Sequence, residues 1–507
     1  MLNNSVKLLS FIVILIVCML FISCNGDDTD KTNGGTNDGS ENIQNGINAD
    51  PNLRENTPDS LPGGLNFNGT EIRVLQRDYF GGTDPWGQEI DVESETGDIV
   101  YDAVYRRTRS VEERLNVKIS TIKTPGGWGE RDQFMGRVRN SVKAGTDDYD
   151  VIAGFYYYIV TLAPEGILYN LNKVPYLNPD AIWWSADMAE QMTIDGKSYF
   201  ISGDLSLTFL MKIFVTYFNK KMAEDMNLEN LYQTVLNGNF TIDKMNELTK
   251  GVYRDLNGNG KPDYDDKYGF ATTAGGTLVD QYYSAFDQPI VKKDMDGIPQ
   301  LALNTPKMVG IVEKLHKFFY ENQNTCVIKV DVPGCEDIIV NMFVEDRTLF
   351  MPGFLATSEY LRNMNSDYGI IPVPKWDKAQ PGYYTTSANS MTMFCIPETC
   401  NRIEATGAVM EALGAETYRK VTPVYYETTL KKKYSRDDET SQMLDLIREG
   451  VRFDFGMANT MCLENIANII RELTFDQKTD FVSRYEKYEP TWQKALDKLV
   501  EAYQDLP

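Results

Sequence analysis

The chain has 507 residues, too many for one ordinary hydrophobic core, so two packed lobes are the default expectation. Fifty basic against 73 acidic side chains leave a net charge of −23, a surface that repels nucleic-acid phosphates and anionic lipid head groups alike. One histidine, His316, rules out a multi-histidine zinc site, and any histidine-dependent triad would have to use it alone.

The N-terminus "MLNNSVKLLSFIVILIVCMLFISC" places Lys7 before an apolar run from Leu8 to Ile22, then turns abruptly polar after Cys24. That is a secretory leader, shorter than the roughly 20 apolar residues a membrane span needs. "FISC" is similar to a bacterial lipobox, with Phe21 where leucine is usual, so cleavage before Cys24 and its lipidation are expected. The competing reading is an uncleaved anchor. Residues 25–62 carry almost no large apolar side chains and cannot bury enough surface to fold. As a flexible coil they would span about 35 Å. The expected division is leader 1–23 and lipidated cysteine with disordered tether 24–69.

The folded part opens with a strand around Ile72, Val74 and Leu75. A helix follows in "IVYDAVYRRTRSVEERL", a strand in "NVKISTI", a helix in "RDQFMGRVRNSVKAG", and a buried strand in "DYDVIAGFYYY". Strand–helix alternation implies a parallel sheet, with ligands at the carboxyl ends of its strands. "FLMKIFVTYFNKKMAEDM" reads as strand turning into helix, and "NFTIDKMNELTKGVYR" as a helix capped by Thr241. A hairpin is expected in "QPIVKKDMDGIPQLAL" and an amphipathic helix in "TPKMVGIVEKLHKFF", which gives His316 a structural place. Strands follow in "RTLFMPGF" and "DYGIIPVPKWD", and the last hundred residues are mostly helical. Besides Cys24, five mature cysteines remain. Cys326 with Cys335, or Cys395 with Cys400, could close small loops; buried free thiols are the alternative.

No phosphate-cradling glycine loop and no nucleophile elbow is present. Aromatic residues crowd the predicted loops: Tyr79, Phe80, Trp86, Trp128, Phe155 to Tyr158, Trp183, Trp184, Phe354, Trp376, Tyr383 and Tyr384. A sugar offers apolar C–H faces and a rim of hydroxyls, so its site wants flat aromatic platforms beside Asp, Asn, Gln or Arg. The candidate ligand contacts are Asp78, Tyr79, Trp86, Phe155, Tyr156, Trp183, Trp184, Asp204, Arg347, Phe354, Tyr384 and Asn389.

A second pattern is "DLNGNGKPDYDD" at 255–266. On the twelve-position calcium loop it places Asp255, Asn257, Asn259, the Lys261 carbonyl, Asp263 and Asp266 at the ligand positions, with Gly260 at the sharp turn. Position twelve is Asp where Glu is usual, and no second helix follows. A weak structural Ca²⁺ site is therefore expected, and a self-solvating Gly-Asn turn is the alternative.

The lipobox and tether, "EERLNVKI", "YDVIAG", "VTYFNKKMAEDMNLENLYQ" and "YGIIPVPKWDKAQPGYYT" together resemble the extracellular solute-binding proteins of family 1, receptors of bacterial ABC importers for carbohydrates. "TPVYYETTLKKKYSRDDETSQMLDLIREGVRFDFG" is similar to a clostridial-type branch. The resemblance implies a two-lobed α/β fold of the periplasmic-binding-protein type II class, with a hinge, an interlobe cleft and a helical C-terminal region. Lobe 1 would span 70–215 with part of the C-terminal helices, lobe 2 216–370, and 371–507 would return through the hinge. Tyr217–Asn219 and Tyr368–Pro374 would lie at or beside the crossings. It further implies a non-enzymatic, monomeric receptor, held to the membrane's outer face through Cys24, that takes a carbohydrate and meets permease subunits. A secreted lipoprotein glycoside hydrolase, or a receptor for a non-sugar solute, is the alternative.

Overall fold

The computed structural model describes residues 54–78, 85–426 and 438–506, with backbone alone at 85, 86 and 438. The leader, Cys24, Tyr79 and Phe80 lie outside the described residues, as does the side chain of Trp86. Residues 50–507 form one compact unit.

The first sheet contains β1 (Thr70–Asp78), β2 (Val117–Pro125) and β3 (Val151–Phe155), with the late strand β11 (Thr392–Cys395) on its edge. Its order is β11-β3-β1-β2, parallel except for β11. Every residue of β3 is buried, as a strand covered on both faces requires. The helix Ile99–Leu115 joins β1 to β2. Asp98 caps it by accepting from the Val100 and Tyr101 amides, and Asn116 ends it at a φ of 48°.

The second sheet contains β4 (Phe214–Asn219), β5 (Tyr268–Ala274), β8 (Thr325–Lys329), β9 (Thr348–Phe354) and β10 (Tyr368–Ile371), in the order β10-β4-β9-β5-β8. β5 runs parallel to both β8 and β9, whereas β4 and β10 are antiparallel additions. The expected hairpin is β6 (Val291–Lys293) with β7 (Pro299–Leu301). The strand expected from Phe209 starts later: Ser206 accepts from the Phe209 amide and starts a short helix, Leu207–Met211.

The chain passes between sheets at 212–214 and 386–388. There the Phe214 amide donates to the Thr386 carbonyl and the Ala388 amide to the Lys212 carbonyl. Tyr217–Asn219 lie inside β4, and Tyr368–Ile371 form an edge strand of the second sheet, so the return crossing is later than the motif order implied. All five described cysteines are free thiols, four of them buried, and burial pushes the Cys326 thiol up to about 12. The two possible disulfides are not formed.

The tether expectation needs correction at its end. Residues 54–69 lie against the first lobe: Leu61 enters its core, and the Asp59 carboxylate binds Arg114 at 2.7 Å and Arg419 at 3.0 Å. Burial alone would raise the Asp59 pKa, but the two guanidiniums draw it down to about 2. A carboxylate so depressed stabilises the fold above its unfolded pKa near 3.8, and that stability disappears as pH falls through 4 toward 2. Asp59→Asn is expected to lose about 1–2 kcal/mol in urea melts at pH 7 and almost nothing near pH 2.

Candidate ligand-binding cleft

Parallel strands aim their carboxyl ends at one edge of each sheet, and both edges meet at the crossing segments. On the first lobe these ends are Asp78, Pro125 and Phe155; on the second they are Ala274, Lys329 and Phe354. The floor is well tied. The Tyr156 and Tyr157 amides donate to the Met391 and Asn389 carbonyls, and the Leu355 amide donates to the Ile213 carbonyl.

The first-lobe wall carries Trp128, 49% exposed, with the Arg131 guanidinium 4.4 Å over its ring and Tyr157 edge-on at 5.3 Å. Just before Trp128, Gly126 lets the chain pass close to β1, since a Cβ there would stand 2.5 Å from the Arg77 Cβ. Tyr157 is buried, which raises its pKa, beside the Arg471–Asp280 pair of the second lobe. The second-lobe wall has a cavity of about 250 Å³ lined by Lys212, Glu336, Asp337, Phe354, Thr357 and Tyr360. Lys212 Nζ is 5.4 Å from the Phe354 ring, and Tyr360 is 62% exposed. Exposed aromatic rings, carboxylates and an ammonium suit a solute with apolar faces and a hydroxyl rim.

On another flank of the crossings, a cavity of about 360 Å³ lies between the helix Ala186–Met192 of the first lobe and residues 283–293 of the second. Asp187, Tyr384, Arg452 and Asp454 line it, and Lys293 Nζ reaches across to the Thr193 carbonyl at 2.7 Å. Burial pushes the Asp454 carboxyl up to about 6, although it accepts from the Ile290 and Met457 amides.

No protein-family model matches the chain, and no curated protein matches it. Solved structures do. The maltose-binding periplasmic protein MalE of Listeria monocytogenes, in complex with maltose, superposes with a TM-score of 0.52 at 14% identity, over 86% of this chain and 99% of that one. The ABC substrate-binding protein Lmo0181 of Listeria monocytogenes, in complex with cycloalternan, gives 0.50 at 12%, over 86% and 99%. The fold is that of ABC-transporter solute-binding proteins. UgpB of Mycobacterium tuberculosis, in complex with glycerophosphocholine, shares the fold at a TM-score of 0.51 and 15% identity, over 80% of this chain and 100% of that one.

On this binding-protein fold the candidate contacts whose side chains are described fall into three groups. Asp78 ends β1, Asn389 lies on the crossing, and Phe354 and Tyr384 line the two cavities. Phe155 and Tyr156 lie at the right strand end but are buried, Phe155 under the Arg77 guanidinium at 4.8 Å and Tyr156 against the Phe453 ring. The rest lie elsewhere. Trp183 and Trp184 are core residues, 4% exposed each, and both indole N–H groups donate to Glu411. Asp204 is buried between Arg54 and Arg448 at 3.0 and 3.3 Å. Arg347 precedes β9, away from the cleft end, where it pairs with Glu345 at 2.7 Å and donates to the Tyr264 carbonyl. Loop placement from sequence does not tell the two ends of a strand apart, and that misplaced Arg347. Lys212, Glu336, Asp337 and Tyr360, which line the second-lobe cavity, look in sequence like ordinary helix or crossing residues, whereas Trp128 stands in the aromatic loops the sequence already marked.

The 255–266 loop closes on itself. Asp255 accepts from the Gly258 and Gly260 amides at 2.7 and 2.8 Å, and both glycines have φ near 70°: 71° and 73°. Asp263 accepts from the Asn257 and Asn259 side-chain amides, which holds its pKa down. Asp266 is buried and accepts from the Leu256 amide and the Tyr253 hydroxyl, both at 3.0 Å. Among the described residues no three His, Cys, Asp or Glu side chains converge as a metal cluster. No described helix is long and apolar enough to cross a membrane.

Proposed function

We propose that the chain is the extracellular substrate-binding lipoprotein of an ABC importer and captures a carbohydrate between its lobes by hinge closure. The observation that carries this reading is a pair of exposed aromatic rings that follow the carboxyl ends of parallel strands, Trp128 after β2 on one lobe and Tyr360, lining a cavity with Phe354, after β9 on the other. Closure follows if the solute touches both rings, because it then binds the closed form better than the open one. The reading is supported by neighbours solved with maltose and with cycloalternan. The "FISC" leader supports lipidation of Cys24 and attachment to the outer membrane face, with permease subunits as partners and a monomeric receptor. The glycerophosphocholine complex of UgpB keeps a non-sugar solute as the second reading. Native mass spectrometry after incubation with mixed oligosaccharides is expected to show an intact sugar bound. Cleaved glycan would make the protein a hydrolase instead.

The 255–266 loop fits Ca²⁺ by its donor set: three carboxylates, two amides and one carbonyl, already bent around Gly258 and Gly260. Binding would require the Asp255, Asp263 and Asp266 carboxylates to converge and the Asn257 and Asn259 side chains to turn their oxygens inward from Asp263. The expected Kd is about 10⁻⁴ to 10⁻³ M. At tenfold excess over Kd, calcium would add about 1.4 kcal/mol to stability. Calorimetric titration with Ca²⁺ and Mg²⁺ checks this. Equal responses to both ions, or an Asp255→Ala variant that titrates like the parent, would remove the metal.

A further inference from the structure

The helix Phe481–Asp505 is built as one amphipathic strip, with Phe481, Tyr485, Trp492, Leu496, Leu499 and Tyr503 buried. Its first half belongs to the second lobe. Arg484 pairs with Glu472 and Asp476 at 3.3 and 3.0 Å, on the helix Asn468–Asp476. That helix is tied to the second sheet region through Arg471 with Asp280, and through Gly275, whose amide donates to Thr474.

Its second half belongs to the first lobe. Lys197 Nζ donates to the carbonyls of Tyr503, Gln504 and Leu506 at 2.9, 2.9 and 2.5 Å. A lysine on terminal carbonyls anchors a helix end through both hydrogen bonds and the dipole. The Tyr503 ring packs edge-on against Tyr199 at 5.6 Å, and the Lys197–Ile201 segment joins the first sheet by pairing Ile201 with Phe394.

Between the halves sits Pro490, inside the helix and exposed. Proline has no N–H for the carbonyl four residues back and crowds the preceding turn, so the helix is weakest where it passes from one lobe to the other. An aromatic ladder spans that point: Tyr485 and Tyr488 both pack on Trp492, at 5.4 and 5.6 Å, and the Trp492 indole donates to the Glu464 carbonyl.

We infer that this helix is a strut joining both lobes, that Pro490 is its flexure, and that Lys197 is its anchor on the first lobe. A continuous helix fixed at both ends would resist any change in interlobe angle; one broken at the crossing bends there while its ends stay docked. The inference concerns motion between lobes and does not depend on the solute being a sugar.

The test uses the full chain without added solute, carrying genetically encoded spin labels at exposed Glu113 and Lys250, one on each lobe. Pro490→Ala, which restores the missing hydrogen bond, is expected to narrow the interlobe distance distribution. Lys197→Met is expected to broaden it and to raise hydrogen exchange across 492–505. Distributions that superpose on the parent's for both variants, with unchanged melting, would make the helix a passive cover. Should Pro490→Ala fail to fold, Lys197→Met decides alone: unchanged width and exchange overturn the strut.

Discussion

Arg471→Met is expected to destabilise the protein by about 3–5 kcal/mol, the usual loss when one partner of a buried ion pair is removed. Arg471 Nε donates to Asp280 Oδ1 at 2.7 Å, and a second N–H reaches Oδ2. Asp280 is 3% exposed, so without the guanidinium its charge has neither water nor partner. Burial would by itself lower the Arg471 pKa, but the Asp280 carboxylate outweighs it and holds the guanidinium well above its usual range. Arg471→Met with Asp280→Leu removes both charges and should recover most of the loss. Urea melts of the two variants check this. A single variant that loses less than about 1 kcal/mol would place the pair in the weak, solvent-screened class.

Trp128→Ala and Tyr360→Ala are each expected to weaken solute binding by about 1–2 kcal/mol, roughly 5- to 30-fold in Kd. Tyr360 is mostly exposed and Trp128 half-exposed, so melting should change little. Trp184→Ala is the contrasting case. It empties a packed site and removes one of the donors to Glu411, so it should cost about 3–5 kcal/mol of stability while leaving the affinity of the remaining folded protein intact. Titration of the three variants with any sugar that binds the parent separates platform from core.

Most of the fold was legible because its signals are local. The all-apolar β3, the Thr241 cap and the β6–β7 turn each follow from a few neighbouring residues. Crossing positions and site membership were not, because both depend on which strand end faces the other lobe. Trp183 and Trp184 share the composition of a sugar platform, and only the long-range partner Glu411, 228 and 227 residues away, assigns them to the core. Likewise Tyr360 has no local mark; the strand that ends at Phe354 puts it beside the groove.

The central claim is capture of a sugar between the lobes, and thermal melting of the full chain against mono- and oligosaccharides tests it most directly. A sugar at a hundredfold excess over its Kd is predicted to raise the melting temperature by about 3 °C and to be recovered unchanged. Cleavage of the sugar, or stabilisation by a non-sugar solute alone, would contradict the account.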